Sequence, residues 1–211
     1  QSFQSAFSIQ VLDVNEAPEA LSLTTSTVNE NQEKGTLVGT LLVSDQDEGE
    51  VFTFAMVSGS GDEDNASFLV EDATLVTNEV FDFEVKSTYS VRLLVEDEGG
   101  AKFEQILPIE ILDANDAPTD LTLTNDVIPS NQIDGYEVGV LNAEDQDNDE
   151  LTFELATGSG DDHNLNFTIV GTKLQTSGLT INDPEEIFHI LVEASDARGG
   201  FAVAPFDLTV E

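Results

Sequence analysis

Acidic and amide side chains recur along this chain at fixed places. LDVNEAP fills positions 12–18 and LDANDAP fills 112–118, a spacing of 100 residues. Asp-Gln-Asp stands at 45–47 and again at 145–147, and VEDEGG at 95–100 is matched by ASDARGG at 194–200. Carboxylates lining the joints between repeats offer hard oxygen donors. Several such donors together are chemistry for a divalent cation, Ca²⁺ above all. Pro18 and Pro118 push Ala17 and Ala117 into extended conformations. Each joint is therefore a short, stiff linker with its carbonyls turned outward.

The repeat extends well beyond the joints. VSDQDEGEVFTF (43–54) matches AEDQDNDELTF (143–153), and GSGDEDNASF (59–68) matches GSGDDHNLNF (158–167). A period near 100 is too long for a solenoid unit and suits a whole small domain. The spacing predicts domains at 15–114 and 115–211. Residues 1–14 remain: QSFQSAFSIQVLD aligns without a gap on AKFEQILPIEILD (101–113). They read as the last strand and linker of a preceding repeat. The alternating Phe3, Phe7, Ile9 and Val11 lack partners there, so the strand should fray or borrow a sheet edge.

Periodicity of two runs through both domains. Tyr89, Val91, Leu93 and Val95 alternate with Ser90, Arg92 and Leu94, as do Phe188, Ile190, Val192 and Ala194 in the second copy. Further strands are predicted over 36–43, 51–57, 103–112 and 201–210, separated by Gly, Asp and Asn clusters. No run of ten or more residues carries a helical stripe. The fold class is all-β, with two tandem seven-stranded Greek-key β-sandwiches joined by a short linker.

Composition narrows the function classes. Six Lys+Arg against 43 Asp+Glu give a formal net charge of −37. Nucleic acid and anionic membranes need a positive surface and are excluded as partners. Hydrophobic residues make up 39% of the chain and fall in alternating runs, enough for two modest cores. There is no cysteine, so no disulfide holds the domains. No stretch is long and apolar enough to cross a bilayer, and no signal peptide starts the chain.

The combination of DQD, FDFE (81–84), VEDEGG and LDANDAP at these separations resembles the cadherin repeat, in the form common in large bacterial surface proteins. The resemblance covers essentially the whole chain. It implies Ca²⁺ at each junction, about three ions, ligated by both domains and the linker. Carried onto matching positions, the upstream domain gives Glu30, Asp82 and Glu84. The linker gives Asp113, Asn115 and Asp116, with carbonyls from Ala114 and Ala117. The downstream domain gives Asp145, Asp147 and Asp196. Eight of these side chains are carboxylates, and about three Ca²⁺ would supply about +6 against their −8. The resemblance implies a rod with calcium and a hinged pair without it. Affinity falls in the range of extracellular modules, roughly 10⁻⁴–10⁻³ M.

The outer ends differ. At the N-terminal end Asn15, Asp45, Asp47 and Asp97, with Asp13 and Glu16 nearby, imply one ion or two. At the far end of the second repeat the pattern lapses: Glu30 corresponds to Ser130, Asp82 to Ile181 and Glu84 to Asp183. No site of this type is expected there unless Glu185 or Glu186 substitutes.

Other signals carry less. DQDND lacks the sixth-position Gly and the terminal Glu of an EF-hand loop. His163, in a polar loop, and His189, facing out of a strand, show no second nitrogen or sulfur ligand nearby. Asn65-Ala-Ser67 and Asn166-Phe-Thr168 match a short sequon that arises by chance. No nucleophile-elbow motif supports catalysis. The leading reading is a non-enzymatic, calcium-stiffened segment of an extracellular, surface or secreted protein, bacterial in type. It would adhere to itself or to other surface proteins, or extend a distal domain. The alternative is a calcium-dependent polysaccharide-binding module attached to a secreted degradative enzyme. With no Trp and only Tyr89 and Tyr136, an aromatic platform is thin. Tyr136, in a turn, is the more exposed candidate.

Overall fold

The computed structural model describes residues 3–12, 14–178 and 186–211. It divides into two compact units, Gln1–Ala114 and Asn115–Glu211.

The first unit is a sandwich of two four-stranded sheets. Its strands are β1 (Ala20–Leu23), β2 (Thr27–Asn29), β3 (Leu37–Ser44), β4 (Thr53–Met56), β5 (Phe68–Glu71), β6 (Thr74–Thr77), β7 (Thr88–Glu96) and β8 (Lys102–Leu112). One sheet runs β1-β3-β6-β5 and the other β2-β8-β7-β4. These are eight segments rather than seven strands because the first strand serves both sheets. Its β1 half pairs antiparallel with β3, and its β2 half pairs parallel with β8. The crossing chain at Thr25 lies so close to β3 that a Cβ on Gly39 would sit 2.4 Å from the Thr25 carbonyl oxygen. Only glycine fits there, at the bulge where β3 shifts register against β6.

The second unit repeats the plan with β9 (Thr119–Leu123), β10 (Val127–Ile128), β11 (Glu137–Glu144), β12 (Thr152–Leu155), β13 (Phe167–Val170), β14 (Lys173–Thr176), β15 (Ile187–Ser195) and β16 (Phe201–Val210). Its sheets run β13-β14-β11-β9 and β10-β16-β15-β12. Gly139 faces the Asn125 carbonyl as Gly39 faces Thr25. Among the described residues the helices are two short 3₁₀ turns, Asn65–Ser67 and Asn164–Asn166, and none is long and apolar enough to cross a membrane.

Alternation fills the cores. Val91, Leu93 and Val95 of β7 and Ile190, Val192 and Ala194 of β15 are buried; the residues between them lie half-buried, apart from Leu191, which is buried too. Tyr89 meets Phe68 and Phe81 edge-on in the first core, and those two rings lie tilted by 31° to each other. Tyr136 is half-buried against the second core, as Tyr89 is against the first. Each 3₁₀ turn is pinned by an asparagine. Asn65 donates to the Val57 and Arg92 carbonyls and accepts the Arg92 N–H, and Asn164 does the same at Ala156 and Leu191. The first sequon therefore has a structural amide. Residues 3–12 form no strand, and their Phe and Ile side chains are exposed.

Replacing a fully buried β7 leucine tests this core. Leu93→Ala should cost the first unit about 2–5 kcal/mol in urea unfolding followed by amide NMR, leaving the second unit's transition in place.

Candidate metal centres

At the N-terminal end of the first unit, three loops meet. Asp97 is 6% exposed and sits in the tight turn after β7, where its Oδ1 accepts the Ala101 N–H at 2.8 Å. Its Oδ2 takes the Asn15 side-chain amide at 3.1 Å. The loop after β3 folds back on itself, with the Asp47 N–H on Asp45 Oδ1 at 3.0 Å and the Glu16 N–H on Asp47 Oδ2 at 2.8 Å. Oxygens of Asp45, Glu50 and Asp97 lie within 4.8 Å of one another. Asp45 Oδ2 and Glu50 Oε2 are buried and have no hydrogen-bond partner. Burial and then the Asp97, Asp45, Asp47 and Glu98 carboxylates push the Glu50 carboxyl above the ordinary glutamate range.

The second unit builds the same arrangement. Asp196, 8% exposed, accepts the Arg198, Gly199 and Gly200 N–H groups on Oδ1 at 2.6–2.9 Å and the Asn115 amide on Oδ2 at 3.0 Å. The Asn115 amide, followed by the three main-chain donors, holds its carboxyl below the usual aspartate range. Asp116 N–H binds Asp147 Oδ2 at 2.7 Å, and Asp149 N–H binds Asp145 Oδ1 at 3.1 Å. Oxygens of Asp145, Asp147 and Asp149 lie within 4.8 Å of one another. Asn115 Oδ1, Asp145 Oδ2 and Asp149 Oδ2 are buried without a hydrogen-bond partner. Arg198 reaches in, its Nη1 lying 2.9 Å from Asp147 Oδ1 and 3.6 Å from Asp149 Oδ2.

A third cluster closes the C-terminal end of the first unit. Glu30 is 0% exposed, and each of its carboxylate oxygens is held by a main-chain donor, Phe83 N–H at 2.6 Å and Ala114 N–H at 2.8 Å. Asp82 caps the following turn by accepting the Val85 N–H at 3.0 Å. Oxygens of Glu30, Asp82 and Glu84 lie within 4.8 Å of one another. At the matching place of the second unit Ser130 carries no carboxylate, and its N–H binds the Glu211 carbonyl.

The structure thus gathers Asn15, Asp45, Asp47 and Asp97 at one end, Glu30, Asp82 and Glu84 at another, and Asn115, Asp116, Asp145, Asp147 and Asp196 at a third. Glu16 contributes its main-chain N–H. Asp113 and Ala117 are exposed and Ala114 half-buried. Asp13, Ile181, Asp183 and Glu185 lie outside the described residues; Glu186 is exposed at the start of β15. Sequence reasoning missed Glu50 and Asp149. The signal was an acid four or five residues past the first Asp of DQD, in a loop that turns back at Gly49 (φ 87°) or Asn148 (φ 60°).

The two histidines are also closer than the sequence suggested. Their ring centroids are 5.7 Å apart, and His163 Nδ1 accepts the His189 N–H at 2.9 Å. That bond occupies His163 Nδ1, and His189 Nδ1 lies 2.7 Å from Asp207 Oδ1. The pair is a structural contact rather than a chelating one.

No family model matches the chain. Human Protocadherin Fat 1 is 30% identical over 135 residues, covering 62% of this chain and 3% of that protein. The Protocadherin GammaB4 extracellular domain superposes on 95% of this chain with a TM-score of 0.57 and 25% identity, using 33% of its own length. Human Protocadherin-24 EC1-2 superposes on 94% of this chain and 100% of its own, with a TM-score of 0.63 and 20% identity. This chain therefore spans a small part of the first two relatives. Each unit repeats the other's split first strand and motifs, and the chain has the two-domain cadherin-like fold of these solved structures.

Proposed function

We propose that this chain is a calcium-binding segment of an extracellular adhesion protein, on a cell surface or secreted, whose linker is stiffened by bound Ca²⁺. The observation that carries the reading is the set of buried oxygens without a hydrogen-bond partner at the two N-terminal ends: Asp45 Oδ2, Glu50 Oε2, Asn115 Oδ1, Asp145 Oδ2 and Asp149 Oδ2, the last with only the Arg198 ion pair at 3.6 Å. Burying carboxylate oxygens without a donor is costly, and Ca²⁺ supplies charge and coordination together. The first unit's end would hold about one or two ions. Glu30, Asp82 and Glu84 would supply ligands at the first unit's C-terminal end, and Asn115, Asp116, Asp145, Asp147 and Asp196 would supply them at the second unit's N-terminal end. Adhesion, to a second copy or to another surface protein, is the role proposed for the whole protein. A polysaccharide platform finds no support, since both tyrosines pack against cores.

Calorimetric titration with Ca²⁺ and thermal melting test the reading. Several ions should bind, and the midpoint should rise with calcium, by about 2.7 kcal/mol of added stability per site at 100 times its Kd. A midpoint indifferent to chelator would overturn it. Asp147→Ala should remove most of the rise that the second unit's site contributes, leaving the first unit's share in place. Glu30→Gln separates structure from binding. With one carboxylate oxygen replaced by a donor, either the Phe83 or the Ala114 N–H loses its acceptor, which should cost about 1–3 kcal/mol in chelator as well as in calcium.

A further inference from the structure

The two acidic N-terminal ends are built on one plan but differ by a charge. In each, a tight turn brings the N–H of an aspartate onto the carbonyl four residues on, Asp97 to Ala101 and Asp196 to Gly200. That register sets Gly99 opposite Arg198. Gly99 brings no side chain to the first end and lies against the linker, where a Cβ would fall 2.2 Å from Asn15 Oδ1, a place that Gly200 takes beside Asn115 in the second unit. In the second end the guanidinium extends over the carboxylate loop and engages Asp147, whose side chain is 3% exposed, while Arg198 itself stays 44% exposed.

We propose that Arg198 is the affinity-setting residue of the second unit's cation site, a tethered guanidinium that competes with the metal for Asp147 and Asp149. The proposal rests on the calcium reading above. A Ca²⁺ ion binds oxygens at 2.3–2.6 Å and takes them largely for itself. An ion using Asp147 Oδ1 must therefore displace Nη1 from its 2.9 Å contact. The side chain has solvent on its other face and can swing clear, so displacement is incomplete loss rather than a steric block. The pair is partly exposed, which puts its strength near that of surface ion pairs and its effect on apparent affinity at about two- to fivefold. The first unit has no such competitor, so its end should fill with calcium independently of residue 198. Free calcium would load the second end later than its carboxylate count alone implies.

The test is a Ca²⁺ titration of the full chain followed by amide NMR. Gly199, Gly200 and Asp116 report the second unit, and Glu16, Gly100 and Ala101 report the first. In Arg198→Gln the second unit's midpoint should fall about two- to fivefold while the first unit's is unchanged. Arg198→Lys, which keeps the charge, should stay close to the parent. Arg198→Gly, which installs the first unit's residue, should behave as Arg198→Gln. Binding in both units with an unmoved second midpoint in Arg198→Gln and Arg198→Gly would overturn the proposal and leave the calcium reading standing. Absence of any calcium-dependent shift in the parent chain would overturn that reading, and the proposal with it.

Discussion

Like-charged oxygens packed at the ends of each sandwich are the constraint on which the rest depends. At an effective dielectric near 20, two carboxylates about 5 Å apart repel by about 3 kcal/mol. The chain has few cations of its own to offset this. Lys86, Arg92, Lys102 and Lys173 pair with Asp64, Glu104, Glu96 and Glu137 on loops and sheet faces, and Arg198 alone among these five reaches an acidic end. The fold compensates first with main-chain donors. Asp45, Asp145 and Asp196 each set one oxygen on N–H groups, and Glu30 sets both. Tight turns stabilise their own acids in this way, because a turn that presents several N–H groups is a local anion site. What remains at Asp45 and Asp145 is a second oxygen, buried without a hydrogen-bond partner.

The sandwich itself tolerates a wide range of end chemistries. Glu30 and Ser130 occupy matching places, one with a carboxylate bound to two N–H groups and one without. Asp64 receives the Ser90 N–H in the first unit, where His163 receives the His189 N–H in the second. Lys102 and Glu104, both in ion pairs, give way on the outer face of β16 to Phe201 and Val203, both exposed. The cores change far less, since Leu75 and Leu174, or Leu41 and Leu141, stay buried at corresponding positions. Core volume fixes the fold, and the loop ends vary over it.

Most of the architecture was legible because period two over β7, β8, β15 and β16 needs no tertiary knowledge. The split first strand was not legible. β2 has three residues and β10 two, too few for alternation to register, and the switch depends on how closely Thr25 and Asn125 approach a glycine in another strand. The repeated acids were legible as candidate ligands, since motif spacing survives in sequence. Glu50 and Asp149 were not, because a backbone turn at a left-handed residue decides which acid in a run faces inward. The nearness of His163 and His189 was hidden for a different reason: 26 residues separate them, and only the pairing of a 3₁₀ turn with β15 brings them together.

The linker asparagines show why residue type matters as much as charge. Asn15 and Asn115 each give their amide N–H to an aspartate, Asp97 or Asp196, that is already surrounded by acids. An aspartate in either place would face that carboxylate with a second charge and no donor. A lysine or arginine would satisfy it but leave no oxygen. The amide does both, donating from nitrogen while Asn115 Oδ1 remains buried and without a partner. One side chain thus ties the linker to its unit and points an oxygen into the acidic end. The motif keeps Asn at 15 and 115 while the neighbouring acid changes between Glu16 and Asp116, whose main-chain N–H groups make the equivalent bonds to Asp47 and Asp147. At that neighbouring place the backbone does the positioning, so either acid serves. At the asparagine the side chain does it, and the geometry admits an amide.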